Sequence, residues 1–247
     1  MKEISSSVWV SEKAKLGENI KFGKNIIIYG NTVVGNNCII EDNVVIGHPS
    51  PAEMQPLQLF EGSSLHDYYD NCTNSQTSIG ENSIVRSFST IYSGNVLNQN
   101  FDCGHSVVIR ENCEIDDNCY VFSNTQIKGS VKIGHNCRIA GTICDRTIIG
   151  DFSSVLGHTV HRYLVGVGGE IEPAPIIANG VIIGREAVII GNVFIDDFAC
   201  ISSNSVVTQS IPKMELFAGI PAKLIRKRTN DEIQILLKKM EDYKNGN

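Results

Sequence analysis

The sequence predicts an all-β protein in which short strands wind into a parallel β-helix of six-residue repeats. Three observations predict this fold: isoleucine and valine recur at every sixth position, glycine and asparagine lie between them, and aromatic residues make up only 7% of the 247 residues. A helix would space apolar residues three or four apart, and a half-buried strand would alternate without marking each sixth residue. The period of six therefore indicates a strand and a tight turn that repeat and stack.

The anchor residues, those expected to point inward at every sixth position, form three blocks. In the third block the count slips near Asp145 and restarts at Ile149. One repeat has too little apolar surface to be stable alone, so the coils are expected to stack, each buried Ile or Val contributing about 1.5–3 kcal/mol of transfer free energy. The anchors are Ile4, Val10, Leu16, Phe22, Ile28, Val34, Ile40 and Ile46, then Ile79, Val85, Ile91, Leu97, Cys103, Ile109, Ile115, Val121, Ile127, Ile133 and Ile139, then Ile149, Val155, Ile177, Ile183, Ile189, Ile195, Ile201 and Val207.

Two interruptions and a C-terminal tail complete the predicted organisation. We expect one β-helix domain over residues 1–210, with loops at about 48–77 and 157–176, and a separate tail over residues 211–247. Loops of this length inside a compact domain are usually functional or disordered. The aromatic residues of the first loop favour a substrate-facing or subunit-facing role over disorder.

Tyrosines in the first loop and a helix in the tail are the specific expectations for these segments. Tyr68 and Tyr69 lie among acidic residues and are candidate substrate-binding residues. In the tail, Thr229 is suited to cap a helix, because its side chain can accept a hydrogen bond from a free backbone N–H group. One face of that helix carries an apolar stripe, which predicts packing on the solenoid or on a neighbouring subunit. The stripe consists of Ile233, Leu236, Leu237 and Met240.

Composition excludes some classes of function. The formal net charge of −6 argues against a general binder of nucleic acid or of membrane surfaces, which are both anionic. No signal-peptide pattern and no run of 18 apolar residues occurs, so we expect a soluble cytoplasmic protein. The eight cysteines show no CxxC spacing and are expected to be reduced. Those predicted to point inward as small apolar fillers are Cys38, Cys103, Cys113, Cys119 and Cys137.

The repeat resembles that of the hexapeptide-repeat acyltransferases over about residues 1–228. This resemblance, and not the periodicity, implies a left-handed β-helix, since ordinary parallel crossovers are right-handed. It also implies a homotrimer with active sites between subunits. Within the superfamily the sequence is most similar to nucleotide-sugar N-acetyltransferases and sugar O-acetyltransferases.

The segment SVLGHTVHRYL resembles the loop of sugar and galactoside acetyltransferases in which a Gly-His precedes a second histidine. That resemblance gives His158 the role of catalytic general base and makes His161 a substrate-binding neighbour. Acyl transfer needs a proton acceptor and a donor for the developing oxyanion, and an imidazole with a pKa near 6.5 suits the first task. The alternative is that both are loop histidines on a polar surface.

A rival base lies in the segment NFDCGHSVVIREN, which resembles the Gly-His and Ile-Arg-Glu run of nucleotide-sugar N-acetyltransferases. His105 stands two positions after the anchor Cys103, which predicts an exposed ring on a solenoid face. We expect it to be catalytic or substrate-binding, with Arg110 and Glu111 as further substrate contacts. An exposed histidine on a repeat surface without a function is the alternative.

The segment FAGIPAKLIRKR resembles the loop after the last coil that holds coenzyme A in this superfamily. This resemblance makes residues 211–247 a coenzyme-binding loop followed by a helix and acetyl-CoA the acyl donor. Glycine and alanine let a pantetheine arm approach the backbone, and the basic run offers a positive field to its phosphates. The candidate coenzyme-binding residues are Ala218, Gly219, Pro221, Ala222, Lys223 and Arg226.

These observations predict an acyl-CoA-dependent N-acyltransferase, an acetyltransferase acting on a nucleotide-linked amino sugar. The amine is favoured over a hydroxyl because the His105 match lies in the longer matching stretch, and sugar O-acetylation is the first alternative. A zinc lyase of carbonic-anhydrase type is a second alternative, although His135, His158 and His161 lack that family's close pairing and no metal ligand set is predicted. A non-catalytic assembly scaffold is the third.

Overall fold

The computed structural model describes residues 2–5, 7–54, 64–162 and 172–245. The chain divides into two compact units, which we call unit 1 (residues 1–130) and unit 2 (residues 131–247). Each unit is built from short strands wound in successive coils, so the predicted all-β, left-handed parallel β-helix is confirmed. The expected division at residue 210 stays a prediction.

In its described residues, unit 1 consists of short strands and one helix. Most strands are only two or three residues long because each side of a coil is a single six-residue repeat. The elements are β1 (Lys2–Ser5), β2 (Val8–Val10), β3 (Lys15–Leu16), β4 (Lys21–Phe22), β5 (Ile26–Ile28), β6 (Thr32–Val34), β7 (Ile39–Ile40), β8 (Val45–His48), α1 (Leu65–Cys72), β9 (Thr77–Ile79), β10 (Ile84–Val85), β11 (Thr90–Tyr92), β12 (Val96–Leu97), β13 (Asp102–Cys103), β14 (Val108–Ile109), β15 (Glu114–Ile115), β16 (Tyr120–Val121) and β17 (Gln126–Ile127).

The strands of unit 1 form three sheets. Sheet A has the order β1-β2-β5-β8-β11-β14-β17, sheet B the order β3-β6-β9-β12-β15, and sheet C the order β4-β7-β10-β13-β16. All pairings described are parallel except β1 with β2. The register stacks anchor upon anchor: Leu97 pairs with Ile79 on one side and with Ile115, 18 positions later, on the other. The predicted apolar columns are therefore present.

Burial of the anchors agrees with the sequence frame. From Ile28 to Val207 the predicted anchors are buried, most of them completely, whereas Leu16 and Phe22 in the first coil are only half-buried. The slip near Asp145 is a shortened turn, because Ile143 and not residue 145 is the buried anchor between Ile139 and Ile149. The five cysteines predicted to point inward are buried, and all eight cysteines are free thiols.

Asparagines hold the turns in the left-handed backbone conformation that the sequence frame requires. Asn100 and Asn118 have φ of 56° and 59°, and their side chains are joined by a hydrogen bond of 2.9 Å between successive coils. Asn19 and Asn37 repeat the arrangement. Each of these asparagines thus adopts the left-handed conformation that the turn needs and forms a side-chain hydrogen bond with the asparagine of a neighbouring coil.

Helix α1 lies in the first interruption, which was expected to be a loop. Its Tyr68 and Cys72 are buried, so the helix packs with one face inward. Ser64 begins it as N-cap, its side chain accepting from the Asp67 N–H. Residues 55–63 lie outside the described part of the chain.

Unit 2 contains further coils and the C-terminal helix. Its elements are β18 (Lys132–Ile133), β19 (Arg138–Ile139), β20 (Thr142–Ile143), β21 (Ile148–Ile149), β22 (Ser154–Val155), β23 (His158–Val160), β24 (Ile176–Ile177), β25 (Ile182–Ile183), β26 (Val188–Ile190), β27 (Phe194–Ile195), β28 (Cys200–Ile201), β29 (Val206–Val207), β30 (Glu215–Ala218), β31 (Lys223–Lys227) and α2 (Asn230–Lys244). Sheet D has the order β18-β21-β24-β27, sheet E the order β19-β22-β25-β28-β30-β31, and sheet F the order β23-β26-β29.

The tail is more ordered than expected. Strand β30 pairs in parallel with β28 and antiparallel with β31, so the segment predicted as a coenzyme-binding loop is a β-hairpin that extends sheet E. Helix α2 begins after Thr229, as predicted, and the Glu232 carboxylate accepts a 2.7 Å hydrogen bond from the Thr229 N–H. Of its apolar stripe only Ile233 is buried, and Leu237 is 42% exposed. The Tyr243 hydroxyl reaches His135 Nδ1 at 2.8 Å and pins the helix to the coils of unit 2.

Candidate functional site

His158 lies on strand β23, on the outer side of sheet F. In that sheet His158 pairs with Val188 of the next strand, and Val188 pairs with Val206 of the strand after it, so the three residues form one column across sheet F. Gly157 sets its position, because a Cβ there would lie 2.2 Å from the carbonyl oxygen of Ala187. That close approach lets the His158 N–H donate to the same carbonyl at 2.7 Å. Only glycine therefore permits the coil contact that fixes the histidine backbone.

The ring of His158 is held at both nitrogens. Nδ1 accepts a hydrogen bond of 3.1 Å from the Thr142 N–H, and Nε2 lies 3.3 Å from Glu186 Oε2. A neutral imidazole carries one proton, so an accepting Nδ1 places that proton on Nε2, where it is donated to the carboxylate. The Glu186 side chain is 72% exposed, so a ligand can displace it.

His161, the second histidine of this segment, has an unusual environment. Both of its ring nitrogens are inaccessible to solvent, and neither has a hydrogen-bond partner within the described ranges. Leaving a buried polar group unpaired costs about 1–3 kcal/mol. His161 thus offers one donor and one acceptor that no described residue uses. Residues 163–171 of the predicted second loop lie outside the described part of the chain.

The AGIPA turn, residues 218–222, sits at the end of the column that carries His158. Val206 donates its N–H to the Gly219 carbonyl at 3.0 Å and accepts from the Ala222 N–H at 2.7 Å. Gly219 has φ of 98°, in the region that favours glycine. Neighbouring strands lie about 4.8 Å apart, so Val206 is about 10 Å from His158 along sheet F. The structure thus brings the predicted base and the predicted coenzyme segment onto one face.

In the basic segment after this turn, the arginines form hydrogen bonds and the lysines are exposed. Arg226 makes a bidentate pair with Glu232 at 2.7 and 2.9 Å, which joins the hairpin to helix α2. Arg228 donates to the Phe198 carbonyl at 2.7 Å. Lys223 and Lys227 are exposed, and neither side chain has an ion-pair partner among the described residues. The lysines are therefore better placed than Arg226 to meet an incoming phosphate.

His105, the rival base, belongs to unit 1. Its side chain is 56% exposed, as predicted, and Nδ1 lies 3.7 Å from Glu41 Oε2. The same carboxylate oxygen accepts hydrogen bonds from the Ser87 N–H at 3.1 Å and the Ser87 hydroxyl at 3.0 Å. Glu41 is thereby held beside the ring on the face of sheet C.

The remaining sequence-predicted residues also lie in unit 1. Tyr68 is only 6% exposed, so its ring packs inward, and its role as a substrate contact stays a prediction. Tyr69 is half-buried against His48, with ring centroids 4.8 Å apart. Arg110 lies 4.8 Å above the Tyr92 ring and forms a bidentate pair with Glu111 at 2.8 and 3.0 Å.

His48 is the residue that sequence reasoning missed. It follows Gly47 where the first block of repeats ends, and it contacts both Tyr69 and Tyr92. The signal was present, because the same Gly-His pair that singled out positions 105 and 158 occurs at 47–48.

A metal centre finds no support in the described ranges. No group of three or more His, Cys, Asp or Glu side chains there is arranged to hold an ion. The same ranges contain no helix with the length and apolar character needed to cross a membrane.

Comparison with known proteins identifies the family. The model of the bacterial transferase hexapeptide (six repeats) matches residues 13–48. A probable macrolide acetyltransferase of Lysinibacillus sphaericus is 44% identical over 123 residues, which cover 39% of this chain and 68% of that protein. The chain belongs to the hexapeptide-repeat transferases.

Two further proteins with different names are similar to this chain. Galactoside O-acetyltransferase of Escherichia coli (strain K12) is 35% identical over 136 residues, covering 54% of this hexapeptide-repeat transferase and 61% of the relative. Gamma carbonic anhydrase 2, mitochondrial, of Arabidopsis thaliana is 26% identical over 157 residues, covering 53% and 56%. The chain thus spans little more than half the length of these two relatives.

Proposed function

We propose that this protein is an acyl-CoA-dependent N-acyltransferase that moves an acetyl group from acetyl-CoA to the amine of a nucleotide-linked amino sugar. The observation that carries the proposal is the shared face of unit 2, where His158 and the AGIPA turn stand on one column of sheet F. A thioester lying along this column would bring its carbonyl carbon to the imidazole while its phosphates reach the exposed lysines of β31.

His158 is the proposed general base. It takes the proton of the attacking amine as the C–N bond forms and returns it to the thiolate of CoA as the C–S bond breaks. Because Nε2 carries the proton in the neutral ring, this role requires the ring to turn over and release the Thr142 N–H. Losing that hydrogen bond costs about 1 kcal/mol, which a bound substrate can offset. His161, whose buried ring nitrogens have no hydrogen-bond partner in the described part of the chain, is the proposed acceptor contact.

Acetyl-CoA fits the hairpin on chemical grounds. The side chains of this turn are short, so a pantetheine arm can lie against its backbone. The residues concerned are Ala218, Gly219, Pro221 and Ala222. Lys223, together with Lys227, supplies positive charge for the phosphates. Arg226 reaches a phosphate only by leaving Glu232, so its first role is to hold helix α2 in place.

Sugar O-acetylation is the second candidate, and the 35% identity with a galactoside O-acetyltransferase favours it. The two reactions share the base and the donor and differ only in the nucleophile. A matched pair of acceptors, an amino sugar and the same sugar with a hydroxyl in place of the amine, separates them. Hydroxylamine cleaves an ester product and leaves an amide product intact.

Assembly and location are further parts of the proposal. A column of outward apolar side chains on sheet D, in register over successive coils, supports a homotrimer with its sites between subunits. The members are Ile148, Ile176 and Phe194, at 41–44% exposure. The free thiols support a reducing, cytoplasmic location. We propose no nucleic-acid partner, no membrane association and no resident metal.

Release of free thiol from acetyl-CoA tests the proposal. We expect His158→Ala to lower kcat by about 10²–10⁴-fold, and His158→Gln, which keeps a donor at Nε2 but cannot accept a proton, to be equally impaired. His135→Ala is the control, because it replaces another histidine that follows a glycine, one whose ring contacts Tyr243 of helix α2 at 2.8 Å, and its activity should stay within about twofold of wild type.

Each other outcome has a defined meaning. Activity restored in His158→Gln would make the ring a hydrogen-bond donor and not a base. Loss in His105→Ala with an active His158→Ala would move the base to unit 1, beside Glu41. Stoichiometric zinc bound by histidines would favour the lyase, and no turnover with any acceptor would favour the scaffold.

A further inference from the structure

A ladder of rings runs along one edge of sheet A in unit 1. Tyr29, His48, Tyr92 and Arg110 follow the inward anchors of successive coils, so each stands next to the one before it. His48 lies 6.2 Å from Tyr29 and 5.0 Å from Tyr92 between ring centroids, and the guanidinium of Arg110 lies 4.8 Å above Tyr92. Arg110 is a predicted substrate contact, but the other members of this ring ladder have no part in the acyl transfer proposed for His158.

Helix α1 packs against Tyr29 and His48 of the ladder and is fixed at its C-terminal end. The Asp70 carboxylate accepts a 2.7 Å hydrogen bond from the Gly30 N–H, and the Thr73 hydroxyl donates to the Gly47 carbonyl at 3.1 Å. These bonds place Tyr69 against His48. The side chains around His48 therefore come from both the coils and the helix.

A carboxylate holds the segment that follows His48. Glu53 accepts hydrogen bonds from the Ser50 N–H at 2.9 Å, the Ser75 N–H at 2.8 Å and the Ser93 hydroxyl. Burial alone would raise the pKa of this carboxyl, but the bonds from Ser93, Ser50 and Ser75 bring it down to about 2. The backbone beyond His48 is thus tied to the coil that carries Tyr92.

The hydrogen bond of the His48 ring fixes its tautomer. Nδ1 lies 2.9 Å from the carbonyl oxygen of Pro49, which can only accept, so Nδ1 carries the proton and Nε2 keeps its lone pair. Nε2 has no hydrogen-bond partner among the described residues. Burial, and to a lesser degree the charge of Arg110, lower the pKa of His48. The ring is therefore a neutral acceptor at pH 7, turned toward a half-buried aromatic site.

Charge and ring geometry select the class of ligand. Glu111 neutralises Arg110, so the site offers no free cation to a phosphate. The rings of Tyr69 and Tyr92 are tilted 52° and 55° to His48 and leave no parallel slot for a flat base. Aromatic faces set at an angle around an acceptor suit a saturated ring with hydroxyl donors.

We propose that the half-buried part of the ring ladder, His48, Tyr92 and Arg110, forms with Tyr69 a binding site for the ring of a sugar, one of whose hydroxyl groups donates a hydrogen bond to Nε2 of His48. Tyr29 is buried and supports these rings from below. The site binds this sugar whether or not it is the acyl acceptor. A test made without CoA therefore separates failure of this inference from failure of the proposed function. Free sugars and nucleotide sugars share the ring chemistry, and the titration has an arm for each.

Trp9 provides the signal, since it is the only tryptophan of the chain. Its ring stacks on His66 at 6.3 Å, and His66 Nδ1 lies 3.0 Å from the Tyr29 hydroxyl at the start of the ladder. The full-length protein is titrated with glucosamine, methyl glucoside, UDP-glucose and UDP while Trp9 fluorescence is recorded. We expect saturable changes with the three sugars and none with UDP.

His48→Asn keeps a donor for the Pro49 carbonyl and removes the Nε2 acceptor, so it should weaken sugar binding about fivefold. Tyr92→Leu should weaken it similarly, whereas Tyr120→Leu on sheet C is the matched control and should have no effect. Thermal unfolding confirms that each variant is folded.

Three results would overturn the inference. The first is that no sugar gives a saturable response, and the second is that Tyr120→Leu weakens binding as much as Tyr92→Leu does. The third is that UDP binds, the free sugars do not, and His48→Asn abolishes the binding of UDP. The last would make the site one for nucleotides.

Discussion

His48 in unit 1 and His158 in unit 2 share a local sequence but have opposite hydrogen bonds. Each follows a glycine that a neighbouring carbonyl approaches, since a Cβ would lie 2.5 Å from the Tyr29 oxygen at position 47 and 2.2 Å from the Ala187 oxygen at position 157. Nδ1 of His48 donates to the Pro49 carbonyl, whereas Nδ1 of His158 accepts from the Thr142 N–H. The same dipeptide therefore presents a lone pair in one unit and a proton in the other.

The difference shows that the backbone group facing Nδ1 decides what a histidine can do. His48 stands at the end of a strand, beyond a buried anchor, where the chain turns and exposes a carbonyl. His158 is the first residue of strand β23, before the buried Thr159, where the neighbouring coil offers an N–H group. A Gly-His pair thus marks a candidate site in this fold but does not specify its chemistry.

The largest expected effect concerns the two glycines. Gly157→Ala and Gly47→Ala should each destabilise the protein by about 2–3 kcal/mol, because the added methyl group meets a backbone carbonyl that cannot move freely. Urea unfolding measures the loss. Gly219→Ala is the control, since a Cβ there would meet only the Pro221 oxygen, at 3.6 Å, and should cost about 1–2 kcal/mol from its positive φ. A wild-type midpoint in Gly157→Ala would mean that the coil contact does not fix His158.

A smaller effect concerns Glu53, which supports the His48 side of the comparison. Glu53→Gln should lower stability at pH 7 by about 1 kcal/mol, because hydrogen bonds to a charged acceptor are replaced by weaker ones. The folded pKa of about 2 lies below the ordinary 4.5, so this contribution is complete above pH 4.5 and is lost as the pH falls toward 2.

The gap between wild type and variant should therefore close over that acid range. Urea unfolding at several pH values measures it, with the exposed Glu12→Gln as control. A gap that is unchanged at low pH would show that the carboxylate charge does not hold this segment.

The smallest effect in free energy is the most direct test of the comparison. Nitrogen-15 NMR should show that the neutral imidazole of His48 carries its proton on Nδ1 and that of His158 carries it on Nε2. The pKa of His48 should lie below the ordinary 6.5, with Tyr29, Tyr69, Tyr92 and Arg110 as the titratable and charged groups that face it.

Because the unfolded chain then binds the proton more readily, His48 contributes stability above pH 6.5 that falls as the pH drops toward its folded pKa. His48→Asn should remove this part of the pH dependence. One tautomer shared by both histidines would contradict the comparison.

Prediction from sequence succeeded where the repeat itself carried the information. The anchors from Ile28 onward, the inward cysteines and the start of helix α2 at Thr229 follow from spacing and capping chemistry. It failed where contacts distant in sequence decide the outcome. Helix α1 was missed because its eight residues are held by Asp70 and Thr73 bonding to other coils, and the tail hairpin because β28 templates β30.

The site shows the same division. The position of His105 two residues after Cys103 was enough to predict its exposure, because the six-residue repeat fixes which side chains point outward. It could not show that Tyr68 turns inward while Tyr69 meets His48. Nor could it show that Arg226, read as a phosphate ligand, is already paired with Glu232.

The sequence by itself determined the period of six, and with it the columns of buried isoleucine and valine, because burial of every sixth side chain is a local rule repeated along the chain. Only the tertiary structure decided which backbone group faces each histidine, which charges are neutralised and which rings surround Nε2 of His48. These contacts depend on groups from neighbouring coils and from helix α1. A hydrogen bond forms only at a distance of about 3 Å, and the sequence does not give the distances between residues that are far apart along the chain.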